Sequence, residues 1–214
     1  MAKGQASLAH HFENMDQQRE ASSLGMWAFL VTEVMFFGGM FVGYAVCHSL
    51  SPQAFGEASK MLSVVLGATN TGVLICSSLT MALAVRSAQL GEQKKLVRFL
   101  ILTILLAMVF LGIKSIEYSR KFQEHLVPGP SFIFEGPQTG GAEIFFSFYF
   151  AMTGLHALHM IIGIGIIIWL ILRARKGHFS AEYHTPVENV GLYWHFIDII
   201  WVFLFPILYL ISRA

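Results

Sequence analysis

Five long apolar runs divide the chain, and the stretches between them are short and polar or rich in Gly and Pro. A helix rises about 1.5 Å per residue, so about 20 apolar residues cross a hydrocarbon core of about 30 Å. The runs at 24–47, 62–85, 97–117, 144–172 and 188–212 meet that requirement. They predict an all-α integral membrane protein, a bundle of five transmembrane helices. Residues 1–23 are a polar N-terminal segment without a short apolar core and small-residue cleavage site, so no removable secretory signal is expected. Residues 24–214 form one five-helix transmembrane domain.

The turn "RSAQLGEQKKLVR" is short, which makes the second and third spans antiparallel neighbours. The longer connection "HLVPGPSFIFEGPQTGG" is turn-forming. The last span opens with T-P-V-E, a capping-box spacing from Thr185 to Glu188 with proline at the helix start. That gives Glu188 a structural role. Pro206 removes a backbone donor inside the same helix, where a kink is expected. No repeat, Walker motif or dinucleotide fingerprint is visible.

Charge sets the orientation. With the N-terminus inside, the cytoplasmic side holds Lys3, Arg19, Arg86, Lys94, Lys95, Arg98, Arg173, Arg175 and Lys176. The outer side holds Lys60, Arg120, Lys121 and Arg213. Nine against four predicts a cytoplasmic N-terminus and an external C-terminus. Composition agrees with a membrane protein, at 55% hydrophobic and 13% charged residues, and a net charge of +1 gives no argument for nucleic acid. Cys47 and Cys76 sit roughly 22 Å apart in depth, too far for a disulfide.

Ionisable groups inside a bilayer each need a partner or a water path. Glu33 in "LVTEVMFFGG" has no base within helical reach; it is either a proton-linked carboxyl or a neutral acid bridging two helices. Lys114 and Glu117 share a helix face near the outer interface, where the lysine stem can snorkel and the two can pair. His195 and Asp198 in "YWHFIDIIW" repeat that spacing between Trp194 and Trp201. An intrahelical or interhelical hydrogen bond is the expectation there, since no nucleophile stands beside them. His156 and His159 in "TGLHALHMIIG" offer a metal or haem reading, but a closed zinc site needs four N or S donors. The small residues Thr153, Gly154, Ala157 and Gly163 suit close helix packing with polar glue instead.

Taken together, "LGMWAFLVTEVMFFGGMFVGY", "GATNTGVLICSS", "IKSIEY", "TGLHALHMIIG" and "VENVGLYWHFIDIIWVFLFPILY" resemble successive helices of subunit III of haem-copper terminal oxidases, over roughly residues 24 to 212. The resemblance implies an accessory chain that binds no haem or copper, has no catalytic residue and carries no electrons. The haems and copper lie in partner subunits. Subunit I is the direct packing partner, with subunit II and a small subunit IV in the same complex and phospholipid bound nearby. The family role is to stabilise subunit I, sustain its proton uptake and protect it during turnover, in the bacterial cytoplasmic (inner) membrane for a five-helix form. Glu33 falls on the family's carbodiimide-reactive glutamate. Glu117 falls on the acid of its E-Y segment; His156, His159, Glu188, Trp194, His195 and Asp198 fall on its signatures. The two leading helices of the seven-helix form are missing, so a lipid cleft within this subunit is in doubt.

Other assignments remain open on the sequence: the corresponding subunit of a ubiquinol oxidase, a nitric-oxide-reductase-associated homologue, an independent proton channel or transporter, or a haem- or metal-carrying enzyme using His156 and His159. Repeats and broken helices, which transporters often show, are not apparent.

Overall fold

A computed structural model describes residues 12–211 apart from positions 135 and 137. Lys3, Arg213 and the end of the last run therefore lie outside the described residues. The elements are helices α1 (Met15–Leu50), α2 (Pro52–Lys60), α3 (Val64–Gln89), α4 (Gln93–Gln123), α5 (Thr139–Arg175) and α6 (Thr185–Tyr209). Five of them are long and apolar enough to span a membrane, and the described residues contain no strand. α1 and α5 have 36 and 37 residues, roughly 55 Å of helix, so both project beyond a core of about 30 Å.

Local signals account for the starts. Asn14 caps α1 by accepting from the Gln17 N–H at 2.8 Å, so the helix begins inside the polar head rather than at its end. Ser63 caps α3 in the same way. α6 departs from the T-P-V-E reading. Its cap is His184, Thr185 is already helical, and no side-chain cap forms. Glu188 instead accepts a hydrogen bond from Gln89 Nε2 at 2.7 Å and lies 3.3 Å from His184 Nε2, tying the start of α6 to the end of α3.

α2 was not foreseen. It is a nine-residue amphipathic helix in the connection after α1, and it buries Phe55 and Ala58 completely. Its Ala54 sits where a Cβ on Gly141 would be 2.5 Å away, so α2 seals the end of α5. α3 and α4 make the most extensive helix pair, joined at Leu90–Glu92 with Gly91 at φ +73°, a left-handed position that favours glycine. The core lies between α3, α4, α5 and α6, around Trp194, Trp201, Phe110, Tyr149 and Met81. α1 packs on α5 and α6 and leaves most of its surface outward, as Val31, Val34, Met35 and Val42 show. Cys47 and Cys76 are both free thiols.

Candidate functional site: buried polar links between the helices

The polar residues picked out in the spans separate into distinct groups, most of them joining helices. Glu33 on α1 and His159 on α5 meet, with Oε2 3.2 Å from Nε2. The other ring nitrogen, Nδ1, is 2.8 Å from the Leu155 carbonyl oxygen, which can only accept. Nδ1 therefore carries a proton, and Nε2 and the Glu33 carboxyl share one between them: a neutral acid donating to imidazole, or an imidazolium donating to carboxylate. Phe37 lies edge-on to the imidazole with centroids 5.3 Å apart, and Tyr193 of α6 donates to the His159 carbonyl at 3.1 Å. Three helices converge on this pair.

His156, one helical turn earlier, does not share that site. It is buried between Phe110 of α4 and Trp201 of α6, at centroid distances of 5.4 and 5.2 Å, and neither nitrogen has a hydrogen-bond partner among the described residues. The two histidines diverge, one toward α1 and one into the α4–α6 core. Among the described residues no group of three or more His, Cys, Asp or Glu comes together as a metal site.

Lys114 and Glu117 are paired as expected, at 2.9 Å, but not by snorkelling to the interface. Their side chains are 5% and 3% exposed, because α4 turns this face toward α5 and α6 rather than outward. Every donor of the ammonium is used: Glu117 Oε2, Tyr149 OH at 3.0 Å and Tyr209 OH at 3.2 Å. Tyr209 in turn donates to Glu117 Oε1 at 2.7 Å. The Tyr149 ring lies 4.8 Å and the Trp201 ring 5.3 Å from Nζ, adding cation–π attraction. This closed network satisfies the pair in a place where an unpaired charge would cost several kcal/mol. Beside it, Tyr118 of α4 is hydrogen-bonded to Thr153 of α5.

His195 and Asp198 do not bond to each other. His195 Nδ1 is 2.8 Å from Ser78 Oγ on α3. Asp198 is 5% exposed, and neither carboxyl oxygen makes a hydrogen bond of ordinary geometry, although Ser78 faces it. Trp194 donates to Ser77 Oγ at 2.9 Å, and Trp201 to Thr71 Oγ1 at 3.1 Å. Thr80 and Thr103 join α3 to α4 at 2.8 Å. Sequence reasoning passed over Tyr149, Tyr209, Ser77, Ser78, Thr71 and Thr80. The signal available was the row of small hydroxyls in "TNTGVLICSSLT" at helical spacing, which is how polar glue between membrane helices looks.

Glycine permits the closest approach. A Cβ at Gly163 of α5 would stand 2.8 Å from Trp194 Cζ3 of α6, so the indole lies directly on the backbone. The small-residue reading of "TGLHALHMIIG" is supported at this position.

Fold and site together define a class: a multi-pass helical membrane protein in which several intramembrane ionisable groups link helices. Comparison with known proteins narrows it. The family model for Cytochrome c oxidase subunit III matches residues 6–213. A protein named "Cytochrome c oxidase subunit 3" from Thermostichus vulcanus is 32% identical over 191 residues, covering 89% of this chain and 87% of its own length. Relatives of the same name from Cyprinus carpio and Salmo salar are 33% and 34% identical over 193 residues, covering 86% of this chain and 67% of theirs. The chain belongs to the cytochrome c oxidase subunit III family.

Proposed function

We propose that this chain is the accessory, non-redox subunit III of a respiratory cytochrome c oxidase. It packs against subunit I, stabilises it, and supports its proton uptake and turnover during aerobic electron transport. The haems and copper belong to partner subunits, with subunit II and a small subunit IV completing the complex and phospholipid bound nearby. It resides in the bacterial cytoplasmic membrane with its N-terminus inside.

The observation that carries this reading is the use made of the buried polar groups. Most of the intramembrane acids and bases picked out are spent on helix links: Glu33 on His159, Lys114 on Glu117 and two tyrosines, His195 on Ser78. The histidines His156 and His159, three residues apart, face different helices. Such links suit a chain whose part is structural support of a neighbour. Family membership supplies the complex in which it is a neighbour.

Purification of the tagged chain in mild detergent, with identification of the chains that accompany it, tests this. Recovery of subunit I, with its haem spectrum, and of a copper-binding subunit II supports the assignment. Recovery with a quinol-oxidising partner set, or alone, overturns it.

A further inference from the structure

Among the described residues, neither carboxyl oxygen of Asp198 has a hydrogen-bond partner of ordinary geometry, although Ser78 faces it. The acid lies with His195 and Ser78 at the floor of a cleft of about 380 Å³ between α3 and α6, open on the outer face of the bundle. The walls are apolar, formed by Ile75 and Leu79 on one side and Ile199 and Val202 on the other. Ile199 and Val202 are 53% and 45% exposed. The small Ala82 also lines the cleft and leaves room for a close backbone approach.

Depth limits what can fill this cleft. Asp198 is 13 residues from Thr185 and 11 from Tyr209 along α6, roughly 20 and 16 Å from its ends. It is therefore near the middle of the bilayer, where phospholipid headgroups do not reach and acyl chains offer no donor. A buried carboxyl facing hydrocarbon costs several kcal/mol unless a donor meets it. Helix association in membranes uses small residues and hydrogen-bonding side chains for this purpose.

We propose that the α3–α6 cleft is the docking groove for a transmembrane helix of another oxidase subunit, which presents a hydrogen-bond donor side chain to Asp198 at mid-membrane. The donor is a guanidinium, ammonium, hydroxyl or amide. The ring of His195, held by Ser78 through Nδ1, stands beside the acid in the same cleft. Ile199 and Val202 flank the docked helix. The inference rests on the reading of the chain as part of an oxidase complex and adds the face through which it is held.

The test is a photo-crosslinking residue placed at Ile199 or Val202 in cells producing the whole oxidase, with adducts mapped by mass spectrometry. The expected adduct joins a mid-membrane residue of another oxidase subunit. Adducts confined to lipid or quinone, to a second copy of this chain, or absent altogether overturn the proposal. In parallel, Asp198→Leu should lower co-purification of the complex about 3- to 17-fold, the range of membrane hydrogen bonds, while Asp198→Asn retains most of it. Circular dichroism of the isolated variants should show unchanged helix content. Co-purification of Asp198→Leu at the wild-type level also overturns the proposal. If the wild-type chain brings down no oxidase subunit, both this inference and the functional reading fail. If it does and the probes reach only lipid, this inference alone fails.

Discussion

Removing either member of the Lys114–Glu117 pair should destabilise the bundle far more than removing both. Glu117→Leu leaves the ammonium on two tyrosine hydroxyls with no countercharge; Lys114→Met leaves the carboxylate with Tyr209 alone. Breaking a buried pair from one side costs about 3–5 kcal/mol. The double variant removes both charges and leaves the Tyr149 and Tyr209 hydroxyls to find new partners, at a cost of about 1–3 kcal/mol in total. A double-mutant cycle should then give a coupling energy of at least about 3 kcal/mol. Unfolding of the detergent-solubilised chain by graded addition of SDS, followed by circular dichroism, provides the four stabilities. Single variants that each cost under about 1 kcal/mol, or a double variant equal to their sum, would refute the closed network. Either result would mean that water or lipid reaches the pair.

Three further expectations follow from the geometry. Gly163→Ala forces a Cβ to within 2.8 Å of the Trp194 ring and should cost about 1–3 kcal/mol in the same assay, whereas Gly165→Ala, with open space around it, should be neutral or slightly stabilising. Glu33→Ala should lose the α1–α5 link for about 0.6–1.7 kcal/mol, while Glu33→Gln keeps a donor for His159 and leaves the haem spectrum of the assembled oxidase unchanged; a shifted spectrum would contradict a purely linking role. Reporter fusions should place the N-terminus inside and the C-terminus outside; a phosphatase active at the N-terminus would reverse the topology.

The membrane spans were legible because a continuous apolar run of 20 or more residues has few alternatives. The short α2 was not, since nine residues with a glutamate and a lysine in a polar connection carry too little pattern. Apart from the Lys114–Glu117 pair, individual polar residues were recognised but not their partners. Glu33 and His159 are 126 positions apart, and nothing local in either segment announces the other. Lys114 looked like an interfacial lysine because its position along α4 suggested depth, while its burial depends on which face α5 and α6 cover. At Thr185 the capping pattern was present, but His184 took the cap and Glu188 was drawn across to Gln89. His195 and Asp198 share a face at i and i+3, yet Ser78 on α3 engages the imidazole first. In each case tertiary contacts decided between locally reasonable options.

In the proposed role the chain supports an oxidase without taking part in its redox chemistry. The most direct measurement compares the oxidase purified from cells with and without this chain, in haem and copper content per subunit I and in oxygen consumption over successive turnovers. Haem and copper should be unchanged and the initial rate retained, followed by faster loss of activity in the preparation that lacks the chain. Stoichiometric haem or copper on the isolated chain, or an oxidase that is equally durable without it, would contradict the account.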